Sequence, residues 1–245
     1  MIQPLKHQPL LKPTLKILFT GTVWYLVILL IIHVTFLSFS AQYEQPIGSF
    51  LSFSFNSMNI FLVAIGISIP YYSLPNIKFG YTRKQIFLTI IKSSLLLIST
   101  LLVIVVVITF VQHLIIGNLV NPTMYNAVIQ NSSGSIHLDL SSMNTPLYQF
   151  LDFSNSWSST ILVFLVSTLF HYTVGLIIGI GYYRYGWIIG FLFVALALIA
   201  LVLHHFIWNF SFFHTSILPA TIILLLSTGI IFTTWQFIKN VTVKL

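Results

Sequence analysis

The residues of this chain best suited to acid–base or metal chemistry are eight histidines and three carboxylates, and cysteine is absent. His33, His113, His204 and His205 fall near one end of long apolar segments, with His137 and His214 in polar stretches beyond them. Imidazoles gathered on that side are one route to a metal or haem site. The pattern lacks what such a site usually needs: no H-E-x-x-H or H-x-x-x-H spacing occurs, and no carboxylate stands near in sequence to orient an imidazole. No metal ligand set is therefore assigned. His171, near the middle of an apolar segment, reads as a hydrogen-bonded packing residue, because no carboxylate shares that segment to complete a proton relay. The lack of cysteine removes disulfides, thiolate metal sites and a cysteine nucleophile. There is no G-x-x-x-x-G-K-[ST] loop, so the chain does not hydrolyse ATP in the Walker manner by itself.

The carboxylates are equally informative by position. Ion-driven transporters place Asp or Glu inside the membrane to carry or coordinate the ion. Glu44, Asp139 and Asp152 all lie between the apolar segments. Catalysis and ion coupling by this chain are both poorly supplied, and the question becomes what elements hold so few polar groups.

Of 245 residues, 57% are hydrophobic and 5% charged, whereas a soluble domain carries roughly 25% charge. Uninterrupted apolar runs of about 20 residues are what a ~30 Å hydrocarbon layer requires. The predicted architecture is all-α and integral to the membrane, one domain over 1–245 with a cytoplasmic amino-terminal segment 1–16. Its six transmembrane helices are expected at about 17–39, 50–72, 93–116, 157–183, 186–207 and 217–238. Continuous apolarity, without the alternation of membrane strands, selects helix over barrel. With six crossings, Lys6, Lys12, Lys16, Lys78, Arg83, Lys84, Lys92, Arg184, Lys239 and Lys244 all fall on one side, and the three acids on the other. That segregation predicts amino and carboxyl termini in the cytoplasm of a multi-pass cell-membrane protein. It also accounts for the net charge of +7 without a nucleic-acid partner. The first apolar run, Ile17 to Leu37, exceeds the roughly 7–15 residue core of a signal peptide and reads as a retained span. Pro9 and Pro13 argue against a long helix before it. The stretch Gly117 to Ser156, rich in Asn, Ser and Thr, reads as a long outer loop of a length that usually has a function.

Two motifs remain. Gly175-Leu-Ile-Ile-Gly179 and Gly186-Trp-Ile-Ile-Gly190 flank Arg184, and small residues four apart let helix backbones approach closely. With Tyr182, Tyr183 and Tyr185 they predict a tightly packed hairpin between the fourth and fifth helices. The second motif is the link from Asn76 to Leu88. Pro70 and Pro75 are expected to end the second helix, Gly80 to turn the chain, and Thr82 with Gln85 to form a capping box that starts a helix running into the third span. Arg83 and Lys84 in that first turn oppose the helix dipole, so their benefit must lie in lipid phosphates, membrane orientation or a protein partner.

The run Gly80-Tyr81-Thr82-Arg83-Lys84-Gln85-Ile86-Phe87 resembles the G-x-[ST]-R-[KR]-x-x-[FL] elbow before the third helix in permease subunits of type 2 ATP-binding-cassette exporters. Six helices, cytoplasmic ends, a basic amino-terminal segment and a tight turn between helices four and five are similar too. Within that family, the size and composition resemble the small permeases of the phenol-soluble modulin exporter. The resemblance implies a non-enzymatic permease exporting an apolar or amphipathic substrate, with the elbow Phe79, Gly80, Tyr81, Thr82, Arg83, Lys84, Gln85 and Phe87 docking on a separate ATPase. It implies a second permease subunit, no cofactor in this chain, and ATP and Mg²⁺ in the ATPase. The family's long outer loop often joins helices five and six, whereas here it joins three and four, so no outer-gate residue is carried over. Two other readings stand beside this one: a membrane protein holding a metal or haem through outer histidines, and an accessory or immunity protein without transport activity.

Overall fold

The structure is a computed structural model, and it describes residues 11–42, 50–119, 157–209 and 217–240. The three acids, His137, His214, Lys6, Lys244 and the outer loop beyond residue 119 lie outside the described residues.

All described secondary structure is helical: α1 (Leu11–Gln42), α2 (Phe50–Ser73), a short 3-10 helix (Leu74–Phe79), α3 (Arg83–Leu119), α4 (Trp157–Tyr185), α5 (Trp187–Asn209) and α6 (Ile217–Lys239). Each of the six α-helices is long and apolar enough to cross a membrane. The chain is an α-helical, multi-pass membrane protein. This follows from backbone chemistry: in hydrocarbon every N–H and C=O must be satisfied within the protein, and a helix does so within one segment. Several side-chain hydroxyls are satisfied in the same way, within their own helix. In α4, Thr168 Oγ1 donates to the Phe164 carbonyl at 2.7 Å and Thr173 Oγ1 to Phe170 at 2.8 Å, and Ser227 of α6 donates to Ile223 at 2.8 Å.

Two helix boundaries differ from expectation, both through proline. Helix α1 already begins at Leu11. Pro13 falls in its first turn, where the missing N–H has no intrahelical acceptor to lose. Pro70 does not end α2, which continues to Ser73; its ring removes one i→i−4 bond, a loss that buried membrane helices tolerate through neighbouring contacts. Pro75 sits at the start of the 3-10 helix, and it is there that the α-helical course stops.

Consecutive helices run antiparallel, and contacts fix which ends meet. Pro13 and Thr14 of α1 line one cleft with Tyr72 at the end of α2 and Asn76 of the 3-10 helix. The Tyr71 and Tyr183 rings meet edge to face at 5.8 Å, and the Phe87 and Trp235 rings at 5.0 Å. The start of α1, the end of α2, the start of α3, the end of α4 and the end of α6 therefore share one end of the bundle. Lys16, Lys78, Arg83, Lys84, Arg184 and Lys239 all lie in the elements that meet there, with Lys92 some three turns along α3.

Helix α4 is the axle of the bundle, packed against α2, α3, α5 and α6. Its closest neighbour is α2. A Cβ on Gly66 of α2 would stand 2.5 Å from the Tyr172 carbonyl oxygen and 2.8 Å from the Leu176 nitrogen of α4. One on Gly175 would stand 2.8 Å from Val63 Cα, and one on Gly179 2.9 Å from Ile67 Cα. Three glycines thus let two backbones touch, which maximises dispersion where water supplies no driving force. The first glycine pair therefore serves α2, not the α4–α5 hairpin. That hairpin is built differently: Gly186 makes the turn at φ 83°, and Gly190 and Gly181 accept the Tyr182 and Phe193 rings against their bare Cα atoms. Helices α1, α5 and α6 present large apolar side chains outward, among them Trp24, Ile28, Phe191, Val202 and Leu225. Lipid is the natural solvent for such a surface.

Candidate functional site

The link between α2 and α3 is the most elaborately fixed polar segment at the basic end. The 3-10 helix Leu74–Phe79 closes on Gly80, whose φ of 88° is left-handed and whose N–H donates to the Ile77 carbonyl at 3.1 Å. Glycine takes that conformation without Cβ strain. Asn76 Nδ2 reaches back to the Tyr72 and Ser73 carbonyls at 2.9 and 3.0 Å, satisfying the last orphan acceptors of α2. Two residues after Gly80 the predicted capping box is present in both directions. The Thr82 N–H donates to Gln85 Oε1 at 3.0 Å, and the Gln85 N–H donates to Thr82 Oγ1 at 3.2 Å. A cap of this kind contributes about 1 kcal/mol to its helix end.

The elbow's side chains divide by role. Ile86 is fully buried and Phe87 packs on Trp235, so the first turn of α3 is anchored to the bundle. Thr82, Arg83, Lys84, Gln85 and Lys78 are exposed, and Phe79 is 67% exposed. Tyr81 is half-buried against the core. The outcome is a capped and anchored corner with exposed Lys78, Arg83 and Lys84 and an exposed Phe79 ring. Helix α3 has 37 residues, about 55 Å at 1.5 Å each, which exceeds the ~30 Å hydrocarbon layer. The helix is therefore longer than the apolar slab is thick.

Arg184, read from sequence only as a topological charge, has a structural task at this end. Its guanidinium donates to the Phe237 carbonyl at 3.2 Å and lies 4.9 Å from the Tyr185 ring centre. It thereby gives a second donor to a carbonyl in the last turn of α6 that also accepts from the Asn240 N–H at 3.3 Å, and places a cation at the negative end of that helix. The ends of α4 and α6 are tied together.

The opposite half of the bundle is held by two histidine-centred locks. Gln112 Oε1 accepts from the Phe50 backbone N–H at 2.8 Å and faces His33 Nε2 at 3.3 Å. Because a backbone N–H only donates, the amide oxygen must point there, and the His33 proton must sit on Nε2. One side chain of α3 thus fastens the late part of α1 to the first residue of α2. The His33 ring is lodged between Phe50 and Phe53, with centroids at 5.0 and 4.9 Å.

In the second lock, Trp208 Nε1 donates to His204 Nε2 at 3.0 Å, and Ser167 Oγ meets the same nitrogen at 3.2 Å. Indole nitrogen is a donor only, so His204 carries its proton on Nδ1 and the Ser167 hydroxyl donates. The His171 ring stands 4.9 Å from His204 and hydrogen-bonds through Nδ1 to the Ser167 carbonyl at 2.7 Å. His171 and His204 are thus brought together by α4 and α5, a pairing that their separation in sequence conceals. His205 faces away from this pair and contacts Asn209 at 2.8 Å. Among the described residues no three His, Asp or Glu side chains stand close enough to hold a metal ion.

Of the elbow residues singled out from sequence, Phe79, Gly80, Thr82, Arg83, Lys84 and Gln85 are exposed, while Tyr81 and Phe87 pack against the core. The paired glycines do not join them and are divided between the α2–α4 seam and the α4–α5 turn. Gly66, Gln112 and the Arg184 cap escaped sequence reasoning. Gly66 is a lone glycine inside an apolar helix, a pattern that does signal close backbone approach, while Gln112 and Arg184 act on backbone groups of other helices and leave no local mark. Comparison with family models, with curated proteins and with solved structures gives no match for this chain.

Proposed function

We propose that the chain is the membrane-spanning permease subunit of an ATP-binding-cassette exporter in the cell membrane, with its basic end and both termini in the cytoplasm. The observation that carries this reading is the capped elbow at the basic end, with Phe79, Arg83 and Lys84 exposed and Ile86 and Phe87 anchored. A separate ATPase docks on that corner and supplies ATP and Mg²⁺; a second permease subunit completes the pathway. The cargo is apolar or amphipathic, of the kind moved by the peptide exporters the sequence resembles. The chain itself contributes position and motion, not catalysis. Rigidity is the requirement for coupling: a push from below reaches the membrane only if the corner cannot absorb it, and the reciprocal cap and the Phe87–Trp235 contact provide that stiffness. The reading also fits the placement of every carboxylate outside the apolar segments, since an ion-coupled path would need one within.

Proteoliposomes containing the complete complex test the energy source. Movement of an amphipathic peptide should require ATP and continue after a protonophore collapses the pH gradient. Loss of movement on collapse, with ATP still present, would contradict the proposal.

A further inference from the structure

One flank of the elbow opens into a cleft between α3 and α6. It measures about 420 Å³, and its walls include Lys84, Phe87 and Leu88 of α3 and Thr228, Phe232 and Trp235 of α6. Phe232 is 63% exposed and Leu88 42%, so the cleft faces away from the bundle, into the surroundings of the membrane helices. Phe87 and Trp235 are in ring contact within it.

Its chemistry changes along its length. Lys84 lies in the first turn of α3, at the basic end, with Trp235 across from it in the last turns of α6. From Trp235 to Thr228 is seven residues along the helix, about 10 Å at 1.5 Å per residue. Over that length the walls are apolar, and the Thr228 hydroxyl is directed to the Leu225 carbonyl at 2.8 Å. No acidic side chain belongs to the described residues, and in sequence all three acids fall in the segments between α1 and α2 and between α3 and α4. The cleft is therefore cationic at the membrane surface, amphipathic at Trp235, and apolar toward the membrane interior. That succession matches a phospholipid, in which a phosphate, a glycerol ester region and an acyl chain follow one another at the same depths.

We propose that this cleft is a binding site for an anionic diacyl phospholipid. The phosphate sits on the Lys84 ammonium, the ester region lies at the Trp235 indole, and one acyl chain runs along Leu88, Thr228 and Phe232. A zwitterionic lipid of equal chain length fits the apolar part but brings its own cation to Lys84, so the site selects for net negative headgroups. The inference does not depend on the transport reading, because it concerns the isolated chain in a membrane.

The test is native mass spectrometry of the purified full chain titrated with phosphatidylglycerol and with phosphatidylcholine of identical acyl chains. The parent should bind the first about fivefold more tightly, the factor that one basic residue near an anionic membrane surface provides. Lys84→Gln should reduce that ratio to near one, and Lys84→Arg should keep it. Thr228→Trp, which fills the apolar part, should weaken both lipids, while Lys84→Gln should leave phosphatidylcholine unchanged. Millimolar inorganic phosphate should not displace the lipid; displacement would mean a phosphate site without an acyl groove and would overturn the proposal. Full selectivity in Lys84→Gln would overturn it too. So would loss of self-association in Thr228→Trp with lipid adducts intact, since a protein partner would then occupy the cleft. Each variant is checked for the parent's thermal unfolding, and Lys84→Arg serves as the folded control for the charge.

Discussion

Replacing glycine by alanine at four places should give effects of opposite sign, and the geometry says where. At Gly175 the new methyl would stand 2.8 Å from Val63 Cα and closer still to the Val63 carbonyl oxygen, against 3.4 Å or more for ordinary contact. Both neighbours are backbone, so no rotamer change relieves the overlap, and α2 and α4 must part by roughly half an ångström or more. A gap of about 0.5–1 Å forfeits a quarter to a half of the dispersion well along the affected contacts, and overpacking of this kind costs about 1–3 kcal/mol. Gly229 of α6 has nothing within 4 Å of its virtual Cβ, so alanine there should stabilise the helix by up to about 1 kcal/mol. Gly186 is equally uncrowded but sits at φ 83°, and alanine should cost roughly 1–2 kcal/mol through the left-handed backbone alone. Gly66→Ala should resemble Gly175→Ala. Reversible unfolding in mixed micelles, followed by tryptophan fluorescence, ranks the four variants. Equal stability of the Gly175 and Gly229 variants would refute the backbone contact between α2 and α4.

Three further outcomes are expected. Gln112→Leu should strand the Phe50 N–H and the His33 Nε2–H in a buried site, at about 1–3 kcal/mol for each donor left unpaired; the same unfolding assay measures it, and a change within error would dismiss the lock. Nitrogen-15 NMR of histidine-labelled protein should find His204 protonated on Nδ1 and not on Nε2, with Trp208→Phe weakening that preference; an Nε2–H tautomer in the parent would contradict the Trp208 bond. With no native cysteine as background, Lys78→Cys and Asn240→Cys should resist an impermeant thiol reagent in intact cells. Ser133→Cys and Ser211→Cys should react, and the reverse pattern would invert the orientation.

What could be read from the sequence was whatever hydrocarbon dictates locally. Six apolar runs of span length give six helices, because backbone groups in lipid have no other partner than their own segment. The Thr82–Gln85 cap was legible for the same reason: donor and acceptor lie three residues apart, and the spacing alone brings them together. Tertiary choices were not legible in this way. A G-x-x-x-G pattern announces close approach without naming the helix approached: beside Arg184 and the tyrosines, Gly175 and Gly179 point to the α4–α5 hairpin, whereas their partner is α2. Pro70 carries a stop signal for soluble helices, yet a buried membrane helix continues through it for three residues. His171 and His204 meet only because α4 and α5 lie side by side, and Gln112 finds the Phe50 N–H across 62 residues. Such contacts depend on the packing of whole helices and have no sequence period to reveal them.

The central claim is that the corner from Phe79 to Phe87 couples this chain to a cytoplasmic ATPase. Arg83→Glu combined with Lys84→Glu tests it most directly, since both side chains are exposed and the cap made by Thr82 and Gln85 is left intact. After membrane insertion is verified, the measurement is the amount of ATPase that copurifies with the variant from cells producing both proteins. The surface that meets these cations is taken to be acidic, so reversing two charges introduces like-charge repulsion, and the account predicts at least tenfold less ATPase bound than with the parent. Parent-level copurification of the ATPase with a correctly inserted variant would contradict it and leave the basic pair with only an orienting role.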